Sequence, residues 1–217
     1  METKVEQAQD FFKVLRDRHS VRHYDPTVTI SQADLQDMLK EATLAPSSAN
    51  LQPWRFLVIT DQALKEKLLP IANHQQQVVD ASAVIAILGD LEGYKQAERI
   101  YEQAVASGYM DEELKQSFIT RITNGYASMS AEKIKNIVLI DGGLIAMQLM
   151  LIAKAKGYDT VPMGGFHPEQ FKEAFGISER YIPVMLLPVG KASESAHSSP
   201  RLAVNDVTFW NKMTEGE

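Results

Sequence analysis

Residues 130–157 read SAEKIKNIVLIDGGLIAMQLMLIAKAKG. This is one long, largely apolar helix that other elements must cover. Ser130 offers its hydroxyl as an N-cap, and Gly157 suits the left-handed residue that follows a helix C-terminus. The run from Ile137 to Ala153 is interrupted by Asp141, Gly142, Gly143 and Gln148, which makes it too short and too polar for a membrane span. Apolar residues fall on nearly every side, so the helix is expected to be buried almost all round. Each central glycine costs about 1 kcal/mol against alanine. Close approach of a neighbouring helix or of a flat ligand is therefore expected at Gly142-Gly143.

On the C-terminal side, the pattern predicts a strand at Thr160–Val161, the run Pro162-Met163-Gly164-Gly165-Phe166 and a short helix from Pro168 to Phe175. A strand over Ile182–Val189 follows, with Pro183 and Pro188 at its ends, where their missing N–H groups do least harm. The tail, 191–217, is polar to Pro200-Arg201. It then regains Leu202, Val204, Val207, Phe209 and Trp210, so it is expected to dock on something.

On the N-terminal side, residues 5–18 carry apolar positions at helical spacing, and a polar turn, RHSVRHYDP, follows. Ser31 caps a second helix, with Asp34 as its capping-box partner and Leu35, Met38, Leu39 and Ala42 as the buried stripe. It stops before Pro46. A strand over Arg55–Thr60 leads to a helix capped by Asp61 and running through Leu69. Ala83–Leu88 reads as a strand buried on both faces. Residues 90–129 are more charged and hold four of the seven tyrosines, Tyr94, Tyr101, Tyr109 and Tyr126. Two helices are expected there, broken at Ser107-Gly108 and Asn124-Gly125. They form either a solvated pair covering the core or a lid whose aromatics line a substrate pocket.

The 217 residues fit one domain, with 45% hydrophobic and 23% charged residues, an ordinary globular composition. The net charge of −6 argues against sequence-blind nucleic-acid binding. The absence of cysteine excludes disulfides, thiolate nucleophiles and cysteine-bound metals, so redox chemistry would need a bound organic cofactor or a metal without thiolate ligands. The opening METKVEQAQDFF lacks an apolar core beside a basic flank and does not read as a signal peptide. A cytoplasmic location and no membrane association are expected. No dinucleotide fingerprint, P-loop, zinc-protease or nucleophile-elbow motif is present. The five histidines show no metal-ligand spacing, and no catalytic triad is read.

Four clusters carry chemistry. Arg18-His19-Ser20-Val21-Arg22 places two forked guanidinium groups around a hydroxyl, a grip suited to phosphate and carbonyl oxygens; a solvated basic turn is the simpler reading. Pro46-Ser47-Ser48-Ala49-Asn50-Leu51-Gln52-Pro53-Trp54 is a stiff loop rich in hydroxyl and amide groups, as a polar ligand edge or a self-bonded loop requires. Gly164-Gly165 lets backbone N–H groups approach a planar ligand. Ser198-Ser199-Pro200-Arg201 offers a second phosphate contact.

In this order and spacing, RxSxR, PSSxNxQPW, PxGGF and SPR resemble the nitroreductase family of flavoenzymes, from Phe11 to about Trp210. The resemblance implies an α+β fold around a mixed central sheet flanked by helices. It also implies an intertwined homodimer with FMN at the subunit interface and NAD(P)H as electron donor. Arg18 resembles a phosphate ligand with His19 and Ser20 beside it, and Arg22 the residue at the flavin pyrimidine edge. Pro46, Ser47, Ser48 and Asn50 resemble the loop donated by the partner subunit, Gly164 and Gly165 the backbone pair facing the reactive nitrogen, and Arg201 the closing phosphate ligand. An amide near the pyrimidine is expected from Gln75, with His74 as the rival. Some members carry an acidic residue where this chain has Gly164 and a lysine where it has Ser199. The implied activity is ping-pong electron transfer to nitroaromatics, quinones or similar small-molecule acceptors. The alternatives are a flavin store or sensor with little turnover, or another flavin chemistry on the same fold. The tail 191–217 is expected to cross to the partner, and 90–129 to govern acceptor choice while leaving flavin binding alone.

Overall fold

Strand β2 (Ala83–Asp90) has eight consecutive buried residues, and the rest of the chain is arranged around it. In the computed structural model, which describes residues 10–213, β2 pairs antiparallel with β1 (Trp54–Ile59) on one side and with β4 (Tyr181–Gly190) on the other. The two-residue β3 (Asp159–Thr160) closes the order β1-β2-β4-β3. All four strands run antiparallel; the parallel component of the sheet is a single bridge between Ser20 and Thr160. Both faces of β2 are covered, which is why its sequence is continuously apolar.

Ala83, Ile85 and Ile87 face a core built with α2 (Gln32–Ala42) and α7 (Ala131–Ala155). Val84, Ala86 and Leu88 face a second core, where α3 (Gln62–Ile71) and α8 (Pro168–Phe175) place Leu68 and the fully buried Phe171. Asp90, at the end of β2, has no exposure; it accepts hydrogen bonds from Arg55 Nη2 (2.7 Å) and from Arg180 Nε and Nη2 (2.7 and 2.8 Å). Two forked donors offset the desolvation that burial imposes on this side chain.

The expected caps are present: Ser31, Asp61 and Ser130 each accept from a backbone N–H in the first turn of their helices, and Gly157 has φ +78°. The first helix, α1, spans Phe11–Asp17; the part of the expectation over residues 5–9 lies outside the described residues. Pro183 and Pro188 lie inside β4 and not at its ends, with Pro183 paired to Leu88 at the register shift between Ile87 and Leu88. A short α4 (Gln77–Asp80) precedes β2.

Two further differences matter for the site. The first is α7, which at 25 residues is long and apolar enough by length and composition to cross a membrane, contrary to the sequence reading. Only one side of it is buried: Val138, Asp141, Gly142, Ile145, Ala146, Leu149, Met150 and Ala153 pack inward, and Ile140, Leu144 and Met147 stay exposed. The close approach at the glycine pair is made by a strand, because a Cβ on Gly142 would lie 2.9 Å from Val184 Cγ1, while one on Gly143 would meet nothing within 4 Å.

The second difference is in the helical excursion, α5 (Ala97–Ala106) and α6 (Glu112–Ala127). The break at Gly108 is there, but α6 runs through Asn124-Gly125. Ile122 and Tyr126 on either side are buried against Leu51, Ala97 and Tyr101, and that packing overrides a local turn signal worth about 1 kcal/mol. In the tail, Leu202, Val204, Val207, Phe209 and Trp210 are all exposed, so the described residues of their own chain do not bury them.

Candidate flavin site

The Arg18–Arg22 turn is held along the open edge of the sheet. Arg18 ends α1 with an extended backbone. Val21 N–H then donates to Thr160 O (3.1 Å), Asp25 N–H to Lys191 O (2.9 Å), and Ser193 N–H to His23 O (3.0 Å). Beneath, the buried Tyr24 hydroxyl donates to Pro188 O (3.2 Å). His19 turns back, its Nδ1–H donating to Asp17 O (3.0 Å). Arg22 is exposed and Arg18 half-buried, and neither guanidinium enters an ion pair among the described residues. Two fixed positive charges thus lie near a hydroxyl with no carboxylate within ion-pairing distance among the described residues, although Glu194 borders the same small pocket as Ser20 and Arg22, an arrangement that suits an anionic ligand.

From Thr160 the backbone continues along the same edge. Met163 exchanges two hydrogen bonds with Leu186, N–H to O at 2.9 Å and O from N–H at 3.0 Å, and this aims the next two residues outward. Gly164 and Gly165 are exposed, and a Cβ at Gly164 would meet nothing within 4 Å. The Gln75 amide Nε2 donates to Gly165 O (2.8 Å) and to Ala72 O (3.0 Å), and its Oε1 accepts from the buried Gln77 (3.1 Å). Asn73 Nδ2 donates to the same Gly165 O (2.8 Å). Asn73 and His74 both have positive φ, 53° and 54°, and His74 is exposed. Of the two expected amide-position residues, Gln75 is the one tied to the glycine pair. Asn73 and Gln77 were not singled out from sequence, and only their place in the run NHQQQ hinted at them.

The Pro46–Asn50 loop is not joined to these residues within the chain. It lies against α7, where Pro46, Ser47, Ser48, Ile137, Ile140, Asp141 and Leu144 border a hollow of about 240 Å³. The backbone there is unusual: Ala49, Asn50 and Gln52 have φ of 48°, 51° and 49°. For alanine the left-handed region costs about 1–2 kcal/mol, a kind of strain that persists only where surrounding contacts impose it. Ser48 N–H donates to both carboxylate oxygens of Asp141 (3.1 and 3.2 Å), Gln52 N–H to Ser47 Oγ (3.0 Å), and Tyr101 hydroxyl to Ala49 O (2.8 Å). Tyr126 stacks on Tyr94 at 4.9 Å, and the neighbouring Ser48 side chain partly offsets the effect of burial on its phenol. Tyr101 is therefore a buried brace of this loop and Tyr126 is buried beside it, which fits the reading of this segment as a pair covering the core; Tyr109 is exposed.

Burial raises the Asp141 carboxyl above its ordinary range, and the Ser48 N–H pulls it partly back. The same burial raises the phenols of Tyr101 and Tyr126. Asp141 was read only as an interruption of an apolar run, yet a carboxylate inside such a run must find a donor, and that signal pointed to it. Arg201 is exposed and donates to Ser199 O (3.1 Å) and Pro200 O (2.9 Å).

The chain belongs to the nitroreductase family: the family model matches residues 15–191. The Bacillus subtilis (strain 168) protein named "Putative NAD(P)H nitroreductase YdgI" is 47% identical over 203 residues, 93% of this chain and 97% of that one. A crystal structure from Exiguobacterium sibiricum 255-15, described as "a putative nitroreductase in complex with FMN", superposes with a TM-score of 0.91 at 46% identity, covering 95% of this chain and 99% of its own. One from Staphylococcus epidermidis ATCC 12228, described as "a putative NAD(P)H:FMN oxidoreductase", gives 0.91 at 40% identity over 97% and 100%.

Proposed function

We propose that the chain is an NAD(P)H-dependent FMN oxidoreductase that passes electrons to nitroaromatic, quinone or similar small-molecule acceptors in a ping-pong cycle. It works as a cytoplasmic homodimer. The observation that carries the reading is the pair of guanidiniums, Arg18 and Arg22, which enter no ion pair among the described residues and lie on the same sheet edge as the open Gly164-Gly165 backbone. Family membership and an FMN-bound relative of nearly half-identical sequence support it.

The residues present fit FMN: cationic forks for a phosphate, a hydroxyl at Ser20, and a glycine pair whose missing side chains leave the backbone approachable. Bound FMN supplies reversible two-electron transfer. Arg18 and Arg201 would hold its phosphate. Arg22 would set a fixed positive charge beside its pyrimidine edge, where the charge both binds and favours electron uptake. Pro46, Ser47, Ser48 and Asn50 would come from the other subunit, because on their own chain they lie on the α7 side, apart from the sheet edge. The exposed stripe Ile140, Leu144 and Met147 beside that loop, and the uncovered apolar tail, are surfaces such a partner would bury. Donor and acceptor would use one open face in turn. The excursion over 90–129 would cover that face, and the tail 191–217 would close the dimer.

The test is to purify the protein, record its visible absorbance, and follow NADH and NADPH oxidation with and without a quinone. A yellow protein whose turnover depends on the quinone is expected. A colourless protein that takes up no FMN on reconstitution refutes the reading, and a flavinated protein without turnover limits it to flavin storage.

A further inference from the structure

The Ser48–Asn50 segment is exposed and Ser47 half-buried, yet the backbone is held at Ala49 in a conformation that alanine disfavours. Ala49 and Asn50 both sit in the left-handed region, with Ala49 at φ 48°, ψ 31°. A free loop of this sequence would relax to ordinary turn geometry, so the restraint has to come from beneath. Two buried side chains supply it, each from a different element: Asp141 of α7 on Ser48 N–H and Tyr101 of α5 on Ala49 O, with the buried Tyr126 of α6 beside them. All of these side chains are buried, although Asp141 also borders the hollow beside the loop. Asp141 is 3% exposed, Tyr101 5% and Tyr126 8%.

We infer that Asp141 and Tyr101 are positioning residues for flavin binding: they hold the 46–50 loop in its strained, ligand-ready shape before FMN arrives. The inference rests on the reading that this loop touches FMN. It assigns the helical excursion a role the sequence did not suggest, that of a clamp. Asp141 is suited to it because both its oxygens meet a single N–H, so the carboxylate seats one backbone atom and no other donor among the described residues competes for it. Holding the loop in advance removes an ordering cost that binding would otherwise meet, and preorganisation of this kind appears as affinity.

The experiment is an FMN fluorescence titration of the wild-type protein, Asp141→Ala, Asp141→Asn, Tyr101→Phe and the loop variant Asn50→Ala. Far-UV circular dichroism and melting temperature are recorded for each. Asp141→Ala is expected to bind FMN at least about tenfold more weakly. Asp141→Asn, which keeps an acceptor for Ser48 N–H, is expected to recover most of the affinity. Tyr101→Phe removes only the hydroxyl and is expected to weaken binding several-fold at an unchanged melting temperature; it serves as the test if Asp141→Ala does not fold. If the wild type binds FMN and Asn50→Ala weakens it while the folded Asp141 and Tyr101 variants bind as tightly as wild type, the positioning role is overturned. If Asn50→Ala also leaves the affinity unchanged, the placement of this loop at the flavin fails, and the inference with it.

Discussion

Gly89 does not occupy a positive-φ conformation, so backbone freedom is not why β2 has a glycine there. A Cβ at that position would lie 2.2 Å from Val138 Cγ1 and 3.2 Å from Ile182 Cγ1, well inside the ~3.5–4.0 Å optimum for carbon atoms. Overpacking a core costs about 1–3 kcal/mol, and a contact this short belongs at the top of that range. The reduced entropy of the unfolded chain offsets about 0.4–1 kcal/mol, leaving Gly89→Ala less stable by about 2 kcal/mol. With a urea m-value of about 2 kcal/mol/M, the midpoint falls by about 1 M. Val138→Ala removes the colliding methyl and by itself costs about 2 kcal/mol in lost burial. If the steric account is right, the double variant is less damaged than the sum, by at least about 1 kcal/mol. Urea denaturation of all four proteins at one concentration measures this. Additivity within about 0.5 kcal/mol would show that the cost at Gly89 has nothing to do with Val138.

Arg18→Ala and Arg201→Ala should each weaken FMN binding about 10- to 100-fold, the worth of a charge-assisted bond to phosphate, and unchanged affinity in both would remove the phosphate assignment. Burial holds the Asp141 carboxyl above its ordinary 3.8, so the native state binds more protons than the unfolded state and loses stability as pH climbs through the window above that value. Asp141→Asn cannot ionise, so its stability relative to wild type should rise between pH 4 and pH 7; a difference in urea midpoint that is flat with pH contradicts this. Removing residues 202–217 should make the proposed dimer dissociate at higher concentration in size-exclusion chromatography with light scattering, since the tail's apolar side chains are left exposed by the described residues of their own chain. A truncated protein that dissociates like the full chain would show that the tail plays no part in assembly.

The sequence disclosed what depends on local pattern. Ser31, Asp61 and Ser130 cap where their spacing says they should, and the double-faced burial of β2 follows from an unbroken apolar run. It misled where tertiary packing outweighs a local signal, as at Asn124-Gly125 inside α6. It also misled where apolar composition does not say which face is covered, as along Ile140, Leu144 and Met147. The Arg18–Arg22 and Gly164-Gly165 stretches stood out as candidates because each concentrates unusual residues in a short span. Asp141 and Tyr101 were not legible as partners of the 46–50 loop, because they lie about 50 to 90 residues away along the chain and meet it only once α5 and α7 have packed.

The glycine–valine contacts and the Asp141 anchor belong to one arrangement. Gly89 receives Val138, and Gly142 receives Val184; together they let α7 sit close upon the sheet. Asp141 is the neighbour of Gly142, so the depth of the helix fixes where its carboxylate lies and hence where Ser48 is held. Those hydrogen bonds, at 3.1 and 3.2 Å, are already at the long end of the useful range, and a further half ångström would forfeit them. In Gly142→Ala the new Cβ would stand 2.9, 3.0 and 3.3 Å from Val184 Cγ1, Cγ2 and Cβ, so the helix must back away from β4. The variant should therefore lose FMN affinity as well as stability. Ile59→Ala is the comparison: it opens a buried site on the other face of the sheet at a cost of about 2–5 kcal/mol, with no link to the loop. Its FMN affinity at a temperature where it is folded should match wild type. If Gly142→Ala proves less stable yet binds FMN as tightly as wild type, then the depth of α7 does not set the loop, and Asp141 follows the loop instead of fixing it.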